Sequence, residues 1–425
     1  ACLACDNKPV ALSINYEQYL SFSGKRAPSY TNAKLACDKD GKITAAQWDC
    51  GLDHGAYNEL GDDLINVPAR FIFYPYNVPN VKGLVRVACT NHSYGTAYRG
   101  YGSPQAYTSS EAMMDMMAEK IGMDPFDFRY KNIARDGDLN VNSYPYTAYP
   151  MEEIMNKMRP LYENALQKAK EEDTPEKRRG VGVAWGGFNV TSGVYDVCSV
   201  ALELRKDNKI VYYNTWQDQG QGGDVGSLHC ALEALKPMGV KPNDIVLIMN
   251  DSKLCPDSGV SASSRQHYMN GIAVNMAAKD MMAAMRKDDG TYRTYEEMIA
   301  DDLPLRYDAT YENISGADLC DLNPDTGVGD PAPAHTFAMF LAEVEVDTKT
   351  GKTTVVGFHC VDDVGVIGDI NAVNGQAYGG MSHSIGFALS ENYDDVKKHN
   401  NMAAAGIPTI KDIPDNFTVT HVVTP

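Results

Sequence analysis

Residues 96–105, TAYRGYGSPQ, set one fixed cation, Arg99, inside a Gly-rich turn that leads into a helix. Gly95, Gly100 and Gly102 surround it, with Tyr98 and Tyr101 on either side. Backbone amides and a guanidinium can therefore approach an anionic or planar ligand together. The run EAMMDMMAEKIGM, residues 111–123, has helical spacing and an acidic start. It places the turn beside a helix N-terminus, where phosphate is favoured.

Two further stretches have the same design. WQDQGQGGDVG, residues 216–226, lies between a strand-like KIVYYNTW and a helix-like VGSLHCALEALKPMG that stops at Pro237 and Gly239. Its tip, Gln219, Gly220, Gln221 and Gly222, aims several N–H groups at one point, and the glutamines can donate and accept there. DSGVSASSRQ, residues 257–266, follows the apolar IVLIM and opens a helix expected over about GIAVNMAAKDMMAAM. Ser261, Ser263, Ser264, Arg265 and Gln266 are its candidate anion ligands. Each has a structural competitor: an arginine can satisfy loop carbonyls, Gln221 can cap the next helix, and serine is a favoured N-cap.

Outward from these turns the chain alternates strands and helices without a fixed period. KLACDKDGKITAAQWDC and RFIFYPY are expected as strands, MEEIMNKMRPLYENALQKAKEE as a helix, and the charged EEDTPEKRRG as a solvated connection. VGVAWGGF and VCSVALELRKDNKIVYYNTW are expected to share a new sheet. FAMFLAEVEVDTKTGKTTVVGFHCV is expected as a hairpin turning at KTG. The expected class is α+β, with two mixed domains over residues 1–170 and 171–425 and the ligand between them.

Composition narrows function by exclusion. The 425 residues are 44% hydrophobic, enough for more than one core. The net charge of −18 argues against nucleic acid as a partner. No apolar run approaches the roughly 20 residues of a membrane span, and no secretory leader opens the sequence. A cytoplasmic location is expected, with a periplasmic one left open. Ten cysteines and nine histidines are scattered without metal-ligand spacing, and only Cys2 and Cys5 form a C-x-x-C. No direct metal ligand is expected, and iron–sulfur clusters would need cysteine sets that are not here.

The AYRGYGSPQ, GQG and SRQ turns, together with NYEQYLSFSGKRAP, YNVPNVKG, AEVEVDTKTGKTTV, DDVG and GQAYGG, carry an end-to-end resemblance. The chain resembles part of the molybdenum-binding subunit of the xanthine oxidase family of molybdenum hydroxylases, most closely the bacterial aldehyde oxidoreductases. The resemblance implies molybdopterin, in its cytosine dinucleotide form, held by Arg99, Gly100, Gln219, Gly220, Gln221, Gly222, Ser261, Ser263, Ser264, Arg265 and Gln266. It implies a substrate funnel lined by Tyr101, Leu60, Asp63 and Phe71. The implied reaction is oxidation of an aldehyde to a carboxylic acid with oxygen from water. Two alternatives are hydroxylation of an N-heterocycle by a split subunit and a non-catalytic cofactor-binding scaffold.

The same resemblance marks what lies elsewhere. The family's FGG-type loop and its GVGE loop, whose glutamate is the catalytic base, do not occur in this sequence. No catalytic residue is therefore expected in this chain, which is taken as half of a split subunit or as an incompletely represented polypeptide. Expected partners are the remaining molybdenum-subunit segments, iron–sulfur (2Fe-2S) and possible FAD-bearing domains or subunits, a small-molecule substrate, and further copies in a homo-oligomer. Gly100 stands where the carbon monoxide dehydrogenases carry a copper-binding cysteine, which disfavours that chemistry. Arg70 is out of register with the substrate arginine of purine hydroxylases, so purines are disfavoured. Asp63 replaces an apolar residue of the aldehyde enzymes, which points to a more polar pocket. His383-Ser384 replaces the Gln-Gly of the family's GG-x-x-Q-G segment.

Overall fold

The computed structural model describes residues 1–190, 195–314, 321–330 and 332–424. Cys320, one of the ten scattered cysteines, lies outside them. Three sheets organise the chain. The first runs β1 (Ser29–Cys37), β2 (Ile43–Gly55), β3 (Val81–Cys89), the second β11 (Asn416–Val422), β10 (Thr353–Asp363), β9 (His335–Asp347), β4 (Lys177–Asn189), and the third β7 (Ile245–Met249), β6 (Ile210–Asn214), β5 (Tyr195–Leu204), β8 (Arg306–Ile314). Each sheet mixes one parallel pair with antiparallel ones. With the helices packed on them, this is an α+β architecture.

The helices are α1 (Tyr16–Phe22), α2 (Gly61–Leu64), α3 (Asn66–Phe71), α4 (Ser103–Ile121), α5 (Pro125–Asn132), α6 (Met151–Glu172), α7 (Gly223–Ala234), α8 (Arg265–Met285), α9 (Tyr295–Ala300) and α10 (Ile370–Leu389). In α6 the residues Met151, Ile154, Met155, Met158, Tyr162 and Ala165 recur every three or four positions and are buried, while Pro160 faces solvent. That is the stripe of an amphipathic helix. The β9–β10 hairpin forms as expected. Asp347 Oδ1 accepts from the N–H groups of Lys349 and Thr350 at 3.0 and 2.8 Å, and Gly351 takes φ +73°.

Alternation along β9 sorts its side chains onto two faces. Phe337, Met339 and Leu341 join the core built by α4, α5 and α6, whereas Ala338, Phe340 and Ala342 face the smaller core that holds Met381 and Ile385 of α10. The first core therefore contains residues from both sides of position 170. The third sheet packs on α7 and α8 around Trp216, Met269 and Met281 in a core of its own.

Three expectations are corrected. RFIFYPY is not a strand. Arg70 and Phe71 end α3, and Phe71, Ile72, Phe73, Tyr74 and Tyr76 are all at most 2% exposed. A segment buried on every side lacks the alternation of a half-exposed strand. VGVAWGGF and VCSVALEL do not share a sheet, since β4 pairs with β9 and β5 with β6 and β8. Both α4 and α8 start earlier than their apolar spacing indicated, within the Gly- or Ser-containing turns themselves.

Candidate functional site

Gly102 is the N-cap of α4 at φ +83°, and a Cβ there would lie 2.9 Å from Val67, so only glycine fits this entry. Gly222 caps α7 at φ +83° and Ser264 caps α8 at φ +56°, directly after Ser263 at φ +48°. None of the three helices has a side-chain hydrogen bond at its cap. The serine capping that competed with the ligand reading is thus not made. Two consecutive non-glycine residues in the left-handed region are strained, the kind of outlier that clusters at ligand clamps.

The second and third turns are stitched together. Gln217 N–H donates to Ser261 Oγ at 2.8 Å and Ser261 N–H to Gln217 Oε1 at 3.1 Å. Gln221 Nε2 reaches the Gln217 carbonyl at 2.9 Å and Gln266 Oε1 at 3.1 Å, and Gln266 Nε2 donates to the Gly223 carbonyl at 3.3 Å. Part of the α7 opening is already filled from within. Gly220 N–H donates to Asp218 Oδ1 at 2.7 Å and Gln219 N–H to Gln221 Oε1 at 2.5 Å. The Gly220 bond, with help from the N–H groups of Asp224, Gly222 and Gly223, holds the Asp218 carboxyl below the usual aspartate range. The Asp218 carboxylate therefore lies at the α7 opening beside the 219–222 tip.

Arg99 sits apart from that pair, against α10. Its Nη2 donates to the Gln376 carbonyl at 2.6 Å and to Gln376 Oε1 at 3.0 Å, and a Cβ at Gly379 would lie 3.0 Å from Nη1. The other end of α10 meets the paired turns. Its N-cap Asp369 lies 3.9 Å from His229 of α7, and Gly368 faces the ring of His267 of α8. Seven residues separate Asp369 from Gln376, about 10 Å of helix. The three openings form two groups along one helix and do not ring a single point.

A cavity of about 600 Å³ opens beside Arg99 between the N-terminal half of α4, the α10 face of the second sheet and α10 itself. Gly100, Ser103, Tyr107 and Glu111 line one side, Gly186, Gly187 and Phe188 another, and Gln376, Gly380, His383 and Phe387 a third. Two acids in its wall have their own partners: Glu111 pairs with Arg129 at 2.8 Å and Asp362 with His421 at 2.5 Å. Burial pushes the Asp362 carboxyl up, with His421 pulling it back. Burial lowers the Arg99 guanidinium, and it lowers His383 together with the charges of Arg99 and Arg26.

Two expected contacts are corrected. Arg265 is 3% exposed and uses all five of its N–H groups: Nε and Nη2 on the Asp196 carboxylate at 2.7 and 2.6 Å, Nη1 on the carbonyls of Ser258 and Val260, and Nη2 also on that of Val197. It has no donor left for a ligand. Phe71, expected in the funnel, is 1% exposed and stacks behind Phe188 with ring centroids 5.6 Å apart; Phe188 is the ring at the cavity wall. The other funnel candidates do gather, since the Tyr101 hydroxyl donates to the Leu60 carbonyl and Asp63 acts on Tyr101 electrostatically. Arg26, Gln376 and Gly380 were missed as site residues. On α10 the spacing 376, 380, 383, 387 was a readable signal of one helix face, but Arg26 meets Arg99 across 73 residues. Among the described residues no group of His, Cys, Asp or Glu could hold a metal ion, and no helix is long and apolar enough to cross a membrane.

Residues 1–133 and 157–414 match families described as Molybdopterin cofactor-binding domain. An aldehyde oxidoreductase of Megalodesulfovibrio gigas is 41% identical over 415 residues, covering 98% of this chain and 45% of that protein. The crystal structure of the aldehyde oxidoreductase from Desulfovibrio desulfuricans superposes with a TM-score of 0.93 at 42% identity, over 97% of this chain and 45% of that one. Quinoline 2-oxidoreductase from Pseudomonas putida shares the fold, with a TM-score of 0.83 at 20% identity, over 99% of this chain and 58% of that one. The chain thus spans about half the length of the relatives it matches. Two family matches along the chain, and three glycine- or serine-led helix openings arranged along α10 beside a cavity, lead to one conclusion: the chain belongs to the molybdopterin cofactor-binding domains of the xanthine oxidase family.

Proposed function

We propose that this chain holds the molybdopterin of a hydroxylase that oxidises an aldehyde to the carboxylic acid with oxygen from water. The observation that carries the reading is the cavity beside Arg99, whose guanidinium is hydrogen-bonded to α10 through Nη2 and lines that cavity with its remaining donors unpartnered among the described residues. The residues present fit the cofactor: the α4 and α8 openings without side-chain caps, buried polar atoms without partners in the cavity wall, and the close approach of the Arg99 guanidinium to α10 at Gly379. When bound, the cofactor supplies the two-electron oxidation and the oxygen transfer.

This chain's residues do the holding. Arg99 and Gly100 contact the cofactor from the α4 opening, while the 219–222 tip and Ser261, Ser263, Ser264 and Gln266 receive its far end. The roughly 10 Å of α10 between the two groups favours an elongated ligand, and we take the cytosine dinucleotide form as the one bound. Tyr101, Leu60 and Asp63 form one wall of the substrate funnel, and the catalytic base comes from a remaining molybdenum-subunit segment. The 2Fe-2S clusters and any flavin sit in other domains or subunits, within a homo-oligomeric complex. The division near residue 170 is kept as a boundary of sequence segments sharing one core.

Steady-state assay of the assembled complex on acetaldehyde, benzaldehyde, nicotinate and hypoxanthine tests the substrate class. Aldehydes are expected to give a kcat/KM at least about tenfold above either heterocycle. Turnover of nicotinate or hypoxanthine without aldehyde oxidation would contradict the reading.

A further inference from the structure

Outside the residues already assigned, the cavity wall holds a second guanidinium that forms no ion pair among the described residues. Arg26 is clamped between two rings, its Cζ 4.7 Å from the centroid of Tyr98 and 4.9 Å from that of Phe387. Its Nη2 donates to the Arg99 carbonyl, but Nε and Nη1, which carry three N–H groups, are buried and without a partner. His383 stands against the same two rings, with centroids 6.2 Å from Tyr98 and 6.3 Å from Phe387, and its Nδ1 is likewise buried and unpartnered. Buried donors without partners are costly and rare in folded proteins.

Glu111 and Asp362 in the cavity wall are matched by Arg129 and His421, whereas Glu391 acts on Arg26 electrostatically but makes no ion pair with it among the described residues. The α10 end of the cavity thus carries two unmatched cations in a chain of net charge −18. We propose that Arg26, His383 and Arg99 together bind a tetrahedral oxyanion at this end of the cavity. The donors come from three separate places, the segment before β1, the 96–102 turn and α10. Three directions suit an oxyanion with three acceptor oxygens better than a planar carboxylate with two. That chemistry is shared by a phosphoryl group and by molybdate. The assignment rests on the cofactor-holding reading of the same cavity and adds Arg26 and His383 to it.

Calorimetric titration of the 425-residue chain with sodium molybdate, sodium pyrophosphate and sodium acetate tests it, on the wild type and on Arg26→Gln, Arg26→Lys, His383→Gln and, as a surface control, Arg178→Gln. Molybdate or pyrophosphate should bind, whichever is tighter naming the source, and acetate should not. Affinity should fall at least about tenfold in Arg26→Gln and His383→Gln, fall less in Arg26→Lys, and stay unchanged in the control. Circular dichroism of each variant separates loss of binding from loss of fold, and the charge-retaining Arg26→Lys keeps the test open if Arg26→Gln unfolds. No binding of either tetrahedral anion, equal binding of acetate, or undiminished binding in the two glutamine variants would overturn the assignment. A chain that lacks pterin yet binds these anions through Arg26 would lose the cofactor reading and keep this one. A chain that retains pterin equally in wild type and variants would do the reverse.

Discussion

Arg129→Met should lower the stability of the first core by about 3–5 kcal/mol, with loss of hydrogen-exchange protection centred on α4, α5 and β4. The Arg129 side chain is fully buried; its Nε donates to Glu111 Oε2 at 2.8 Å, and its Nη1 to Asp115 Oδ1 at 2.6 Å and to the Pro125 carbonyl at 3.1 Å. Glu111 also accepts from the Tyr76 hydroxyl at 2.8 Å and from the Trp185 N–H at 3.0 Å. One carboxylate therefore ties α4 to α5, to the turn after α3 and to β4, across the sequence boundary near residue 170. Burial alone would weaken Arg129's hold on its proton, but Glu111, Tyr76 and Asp115 keep it above the ordinary value. Removing the cation leaves Glu111 charged in an apolar wall, which is the costly case. The double variant Arg129→Met/Glu111→Gln should recover part of the loss, because no bare charge remains. A single-variant loss below about 1 kcal/mol in urea unfolding would show that the pair is not structurally important.

Arg265→Met should produce a comparable loss of about 3–5 kcal/mol, confined to the other core. Here the exchange protection of α7, α8 and the third sheet should fall while that of α4 to α6 is kept. The guanidinium binds Asp196 through two nitrogens, closes on three carbonyls of the 197–260 region and lies 4.9 Å from the Trp216 ring. It fixes the strained opening at Ser263 and Ser264 from behind. Arg265→Lys, which cannot make the two-nitrogen contact, should recover little. If the variants instead stayed as stable as the wild type and lost only ligand binding, Arg265 would be a ligand contact after all.

The contrast between Arg99 and Arg265 shows what the sequence can and cannot say. Both stand beside small residues at a helix entrance, Gly100 for the first and Ser264 for the second, and local pattern treats them alike. What separates them is a partner far along the chain, Gln376 for the first and Asp196 for the second. Although α4 and α8 begin ahead of the apolar period that signalled them, the turns that open α4 and α7 were legible because glycine marks positive φ locally. So was the β9–β10 hairpin, through alternation and its KTG turn. RFIFYPY was not, since an apolar run buried on all sides has no period to read. Phe71 failed as a funnel residue for a related reason: being aromatic near the site does not say which aromatic layer faces the cavity, and Phe188 from β4 stands in front of it. Arg26 escaped notice because its unmade hydrogen bonds exist only once Tyr98 and Phe387 have closed over it.

Metal and nucleotide analysis of the chain isolated in its assembled complex tests most directly whether this cavity holds a molybdenum pterin dinucleotide. About one molybdenum atom and one acid-releasable cytidylate per chain are expected, with both largely lost from the Arg99→Gln variant while its fold is retained. A wild-type complex containing neither molybdenum nor cytidylate would contradict the assignment.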